Sequence, residues 1–289
     1  LNDIAQIIIS TNDAEALLNT ASRILGEALD VDRFEIYSVS KLQETVVGLI
    51  EWLNPANQSL VETLACFPLA MYKNCIEHML STYQPIAHNL ENPDPNVLAD
   101  YQFIINNTEF CHQNVKPAGA FEPFLSEFEK VQSGLWFPFW FKDNGFYLFA
   151  INRITRNEGF KNIELDFLES ASRQISIALE KLHLIEQKNL ADDQLRRLSH
   201  AIEQSPACNI ITNTEGRIIY VNSKVTELTG YQPEELLGKT TEILGNGTLR
   251  EELDHQLWQT IRSGKTWKGE FLNKKKDGDI YIGSLTITA

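Results

Sequence analysis

The most reactive side chains in this sequence are four cysteines, Cys66, Cys75, Cys111 and Cys208. None forms a Cys-x-x-Cys pair, and four in 289 residues is no disulfide framework, so reduced thiols are expected. A reactive thiol needs a resolving partner, and Cys66, Cys75 and Cys111 could supply one another. Cys111 is followed by His112, which sets an imidazole beside a thiol in a Pro- and Asn-rich stretch. The chain has no Gly-rich phosphate cradle, no HExxH, no GxSxG and no Cys/His metal spacing. Catalytic and metal-ligating residues are therefore expected to be none in this stretch, and whether the full-length protein is an enzyme stays open.

These side chains sit in an acidic chain. Lys plus Arg number 25 and Asp plus Glu 39, a formal net charge of −14. That balance disfavours phosphate backbones and anionic membranes at a distance. The basic run Lys274-Lys275-Lys276 is followed at once by Asp277-Gly278-Asp279 and reads as a solvated hairpin tip, so no nucleic-acid partner is expected. No run reaches the ~18 apolar residues of a membrane helix. The start, Leu1-Asn2-Asp3, lacks the basic and apolar parts of a signal peptide, and a cytoplasmic location is expected. The absent initiator Met and a final strand-like run at 280–289 read as a fragment of a longer protein. At about 100–200 residues per domain, the length implies two domains.

The elements that must position these residues follow from periodicity. Asp13 is a helix N-cap, and Leu17, Leu18, Ala21, Leu25 and Leu29 recur at helical spacing. Residues 32–40 alternate as a strand, with Phe34 and Ile36 on one face and Glu35, Tyr37 and Val39 on the other. A second strand is expected at 45–52 and a short helix at 68–80. Residues 85–130 read as a loop-rich excursion with short helices, the kind of segment that forms binding lids. Strands at 134–141 and 146–153 flank a turn at Asn144-Gly145. Their aromatic run, Trp136 to Phe141, reads as core packing.

A long helix then opens at Asn162 and lasts to about residue 204. Ala171, Ile175, Ala178, Leu182, Ile185 and Asn189 are spaced 4, 3, 4, 3 and 4, the signature of a coiled-coil seam. Leu195, Leu198 and Ile202 continue in another register, with the slip near Asp192-Asp193. Residues 171–182 also suit the core face of a domain helix, whereas dimer packing is expected from Ile185 onward. A homodimer through residues 171–202 is the resulting expectation. Strand pairs then follow at 208–222 and 266–288, with helices between them.

Residues 201–289 resemble a PAS domain. The carrying residues include Ile210-Ile211-Thr212-Asn213-Thr214-Glu215-Gly216-Arg217, Tyr220-Val221-Asn222, Leu228-Thr229-Gly230-Tyr231, Glu234-Glu235-Leu236-Leu237-Gly238 and Trp267-Lys268-Gly269-Glu270-Phe271. Residues 1–185 are similar to a GAF domain, on the first helix, the 32–40 strand, the hairpin and the closing pattern Phe160…Leu165…Phe167-Leu168…Ala171…Gln174-Ile175. The resemblance implies an α/β (α+β) chain of two domains, each an antiparallel sheet with flanking helices, joined by a long helix. The expected boundaries are 1–160 for the GAF-like domain, 161–204 for the closing helix and coiled-coil linker, and 205–289 for the PAS domain.

Modules in this order resemble the sensory regions of bacterial histidine kinases and cyclic-dinucleotide enzymes. The implied function is a signal-sensing module that takes a small-molecule signal and controls a downstream output domain of the same chain. The PAS cavity resembles those that hold FAD, with Trp267, Asn246 and Asn273 as the residues in position. Cys111-His112 resembles the bilin attachment pair of phytochrome-like GAF domains, but its surroundings depart from that pattern, and bilin is disfavoured. Haem would fall to His255, whose neighbours Glu251, Glu252 and Asp254 indicate a solvent-facing side. Asn152-Arg153…Phe160…Glu164…Asp166 is similar to a cyclic-nucleotide pattern with Arg in place of Lys and the acidic pair displaced. His200 resembles a phosphoacceptor histidine, but Ala201 stands where an acidic activator is needed. The alternatives are a GAF-fold thiol enzyme that reduces methionine sulfoxide and a ligand-free dimerisation module.

Overall fold

A computed structural model describes residues 13–142, 145–245 and 251–288, with side chains of the last segment described from residue 256. The chain divides into two compact units, Leu1–Glu186 and Gln187–Ala289. Asn246 and the side chain of His255 lie outside the described residues, as does Asn144 of the expected turn.

The first unit begins with α1 (Ala14–Ala28), capped by Asp13, whose carboxylate accepts from the Ala16 amide at 3.0 Å. Strands β1 (Arg33–Ser40) and β2 (Thr45–Leu53) follow, then the short β3 (Cys66–Pro68). A 3-10 turn at Leu69–Tyr72 leads into α2 (Lys73–Thr82). The expected loop-rich excursion holds β4 (Ile86–Asn89), α3 (Pro95–Asn106), α4 (Thr108–Asn114) and α5 (Phe121–Phe128). Strands β5 (Ser133–Lys142) and β6 (Gly145–Arg153) complete a six-stranded antiparallel sheet in the order β3-β2-β1-β6-β5-β4. The helix α6 runs unbroken over Asn162–Glu203, as its periodicity predicts.

The sheet is covered on both faces. Phe34, Ile36, Leu135, Phe149 and Ile151 pack against α1 and the first half of α6. Tyr37, Val46, Trp136, Phe146 and Leu148 pack against the layer of α2 to α5. Strand residues of both parities are therefore buried, and β1 is buried over its first five positions. Gly26 lies inside α1 because the Trp52 ring occupies the place of a side chain: a Cβ there would stand 2.2 Å from the ring. That close approach compensates the ~1 kcal/mol that glycine costs in a helix interior.

This packing corrects part of the expected seam. Ala171, Ile175 and Ala178 are buried in the core of their own unit, and Leu182 packs against it. These positions cannot also meet a second chain. From Ile185 onward the expected positions stay uncovered, with Leu195 and Leu198 at 65% and 62% exposure, and Leu184, outside the expected seam, is uncovered as well.

Arg153, at the end of β6, fastens α6 to the sheet. Its guanidinium pairs with Glu164, donates to the carbonyls of Glu158 and Gly159 at 3.1 and 3.2 Å, and lies 4.2 Å from the Phe160 ring centroid. Arg153, Phe160 and Glu164 of the residues similar to a cyclic-nucleotide pattern thus form a structural clamp.

In the second unit, β7 (Ile210–Thr212) pairs with β8 (Ile218–Val221), and β9 (Trp267–Lys274) pairs with β10 (Ile280–Ile287). They form two separate antiparallel ladders rather than one sheet among the described residues. Helices α7 (Ser223–Thr229), α8 (Pro233–Leu236) and α9 (Glu251–Arg262) lie between them in sequence. A small core gathers Ile218, Val221, Val225, Leu236 and Leu244.

Arg153→Ala should destabilise the first unit by about 3 kcal/mol, because it strands the partly buried Glu164 and two carbonyls. A lower urea midpoint by tryptophan fluorescence is the expected result. An unchanged midpoint would show that α6 is held by its apolar face alone.

Candidate functional site

Strand β1 builds the candidate site through its alternation. Phe34 and Ile36 enter one core, while Arg33, Glu35 and Tyr37 line a cavity in the other. The cavity has a volume of about 40 Å³, and its walls include Tyr72, Phe124, Trp136, Thr63 and Asn152. A water needs about 10–15 Å³ on this measure, so there is room for roughly three water-sized groups.

Two charged side chains of β1 are thereby taken out of water. Arg33 and Glu35 are only 3% and 4% exposed. Such groups survive burial only when hydrogen-bonded or paired. The Arg33 guanidinium pairs with Glu127 of α5 at 2.8 Å and with Glu51 of β2 at 3.3 Å. It also donates to the Val61 carbonyl at 2.7 Å and to the Thr63 hydroxyl at 3.2 Å. Lys130 adds a second cation beside Glu127.

Glu35 is held differently. It accepts from the Tyr37 hydroxyl at 2.7 Å, the Thr63 hydroxyl at 3.1 Å and the Asn152 amide at 3.3 Å. Burial lifts its carboxyl from 4.5 to about 7; the Arg33 charge opposes that rise and the Glu51 charge adds to it. Burial raises Glu51 as well, against hydrogen bonds from Thr63 and the charge of Arg33. Burial and the nearby Glu35 carboxylate keep Tyr37 and Tyr72 protonated far above neutral pH.

The residues singled out from the sequence are not brought together here. Cys111 is buried on α4 while His112 is exposed, with its Nδ1 3.0 Å from Glu122. Burial raises the Cys111 thiol, which makes it a poor nucleophile. Cys75 is also buried, and burial with the neighbouring Asp100 carboxylate raises its thiol far above the usual range. All four cysteines are free.

Trp267 and Asn273 lie on one face of β9, at its two ends, about 20 Å apart at ~3.4 Å per residue. The Trp267 ring packs 5.2 Å from Phe271 and covers Gly269, where a Cβ would come within 2.0 Å of it. Asn273 hydrogen-bonds the Tyr281 hydroxyl. No cluster of three metal-ligating side chains occurs among the described residues. Among them, too, no helix is long and apolar enough to cross a membrane.

Comparison with known proteins settles the second unit. Residues 206–289 match the PAS domain family. The nitrogen fixation regulatory protein of Klebsiella oxytoca is 29% identical over 87 residues, which are 30% of this chain and 18% of that protein. The hybrid signal transduction histidine kinase L of Dictyostelium discoideum is 38% identical over 101 residues, 35% of this chain and 6% of that protein. The chain thus spans less than a fifth of the length of either relative. Both are regulatory or signalling proteins by name. Among solved structures, the phycoerythrobilin-bound GAF domain of a cyanobacterial phytochrome is similar at a TM-score of 0.47 and 15% identity, over 64% of this chain and 95% of that one.

The sequence reading placed Glu35 on the right face but did not recognise it as buried. The available signal was Arg33 and Glu35 sharing their parity with the apolar Tyr37 and Val39.

A carboxyl with a raised folded-state pKa binds more protons when folded, so stability falls as pH rises between the two values. Glu35 should remove on the order of 3 kcal/mol of stability between about pH 4.5 and about 7. Glu35→Gln should lack this loss. Urea unfolding of both proteins across that range tests it, and parallel curves would rule Glu35 out as the titrating group.

Proposed function

We propose that this chain is a signal-sensing regulatory module, with a GAF-type ligand domain first and the PAS domain second. Its α6 helix acts as a dimeric transmission element toward an output domain, a histidine kinase or a cyclic-dinucleotide enzyme. The observation that carries this reading is the division of labour along α6. Its first half is built into the core of the sheet that carries the cavity. Its second half presents an uncovered apolar stripe.

That stripe has its own register. Leu184, Lys188, Ala191, Leu195, Leu198 and Ile202 are spaced 4, 3, 4, 3 and 4. Leu184 and Leu195 to Ile202 therefore belong to one heptad seam, one position away from the buried set Ala171, Ile175 and Ala178. No slip near Asp192-Asp193 is needed. The helix turns one face to its own sheet and, beyond the sheet, an adjacent face to a second chain. A ligand that alters the packing of α6 on the sheet would then bias the seam, as helix shifts at subunit interfaces do.

The thiol-enzyme alternative gains nothing from the structure, since Cys75 and Cys111 are buried with raised thiol pKa values. The expectation of FAD in the PAS domain has a direct check. Flavin absorption in the purified protein, lost on Trp267→Ala, would support it, and a colourless protein would end it.

The seam is tested by cross-linking. With Leu198→Cys the chain should form an intermolecular disulfide under mild oxidation, whereas Ile175→Cys should not, being buried in its own unit. The pair Leu195→Glu and Leu198→Glu should shift sedimentation from dimer to monomer. A wild-type monomer, or a dimer untouched by these changes, would refute the transmission element.

A further inference from the structure

We infer that the cavity under the sheet is a receptor site for a small organic ammonium ion, with Glu35 as its counter-ion. This rests on the sensory reading of the first unit given above and names the chemistry of its ligand.

Arg33 already has two carboxylate partners, Glu51 and Glu127, and Lys130 pairs with Glu127 from the other side. Glu35 is met only by neutral donors, from Tyr37, Thr63 and Asn152. Among the described residues no cation stands at ion-pair distance from it. With Glu35 ionised, Glu35 and the ion pairs linked to Arg33 hold three carboxylates, Glu35, Glu51 and Glu127, against two cations, Arg33 and Lys130. The missing charge is positive. An anionic ligand would add to the excess and face the ionised Glu35. A neutral one would leave a buried carboxylate without a counter-charge, in a medium where charges are poorly screened.

The walls fit the same class. Tyr72, Phe124 and Trp136 line the cavity, whose charged lining residues are Glu35 and Arg33, the latter paired with Glu51 and Glu127. The Tyr72 and Trp136 rings meet edge to face at 5.5 Å. Aromatic faces attract a desolvated ammonium group and accept its alkyl part. Size sets the limit: about 40 Å³ admits roughly three water-sized groups, so the ion has about three or four non-hydrogen atoms. A tetrapyrrole or a nucleotide exceeds this volume many times over.

The groups that face Glu35 also set a pH dependence. They are Arg33 and Tyr37 on its own strand, Glu51 on β2, Thr63 before β3, Asn152 on β6, and Tyr72 ahead of α2. Glu127 and Lys130 reach the cluster through Arg33. Burial brings Glu35 to about 7, and both tyrosines stay neutral. An ammonium ion should therefore bind weakly when Glu35 carries a proton and tightly when it does not.

The test is an NMR titration of the whole 289-residue chain with ethylammonium chloride, against ethanol, sodium acetate and sodium chloride at equal ionic strength. At pH 8, ethylammonium should move the Trp136 indole signal saturably, with a Kd on the order of 1 mM for so few atoms. Ethanol and acetate should bind at least about ten-fold more weakly. The affinity should fall about ten-fold per pH unit below about 7, while ethylammonium itself stays protonated. Glu35→Gln should weaken binding at pH 8 about ten-fold and abolish this pH dependence. If that variant does not fold, the wild-type pH profile decides alone. The proposal is overturned if ethylammonium leaves the Trp136 signal unmoved, if its affinity does not change with pH, or if Glu35→Gln binds it as well as the wild type. Saturable binding of acetate or ethanol instead would sink the ammonium assignment and keep a ligand-binding first unit. The cross-linking pattern on α6 judges the sensory reading separately from all of these outcomes.

Discussion

A six-stranded sheet with both faces covered is the constraint on which the first unit depends. In a half-solvated sheet, every second residue can be polar at no cost. Here both parities of β1 are inside, so each charged residue on it must find its partners within the protein. Arg33 does so through Glu51 and Glu127, which come from a neighbouring strand and from a helix far along the chain. That one guanidinium ties β1, β2 and α5 together over a sequence separation of 94 residues. The helical layer is thus positioned by charge as well as by the aromatic packing of Phe67, Tyr72 and Phe124.

The same constraint explains what could be read from the sequence. Elements with one strong period were legible: the Asp13-capped helix, the strands at 32–40 and 45–52, the aromatic hairpin strands and the long helix all lie where periodicity puts them. In the excursion at 85–130 the short helices were expected but their bounds were not, and the four-residue edge strand Ile86–Asn89 was missed. Their order comes from packing on the sheet, and Asp100 shows how. It sits on α3 yet caps α2, accepting from the Asn74 and Cys75 amides at 2.9 and 3.0 Å. No local pattern announces a cap delivered from another helix.

The cavity was illegible for a related reason. Glu35 and Arg33 look like ordinary solvent-facing strand residues until α2 to α5 are known to cover them. Cys111-His112 drew notice because the two residues are adjacent, but a helix sends neighbours about 100° apart, one to the core and one to solvent. The heptad arithmetic met a similar ambiguity. Two apolar stripes one residue apart on α6 look like a single seam with a slip until burial separates the core stripe from the exposed one.

The cavity and the start of α6 are both tied to β6. Asn152 and Arg153 are consecutive on β6. The amide of Asn152 holds Glu35 at 3.3 Å, and the guanidinium of Arg153 holds Glu164 at the start of α6. On the proposed reading, a cation drawn to Glu35 competes for the carboxylate that Asn152 grips, and a change of Asn152 is one peptide unit from the clamp on the helix. Packed cores respond by switching between discrete arrangements rather than by bending smoothly. A charge entering a 40 Å³ void therefore acts at a point where the strand has few other ways to yield. On that reading, the placement would give a small ligand leverage on a 42-residue helix which a site elsewhere on the sheet would lack.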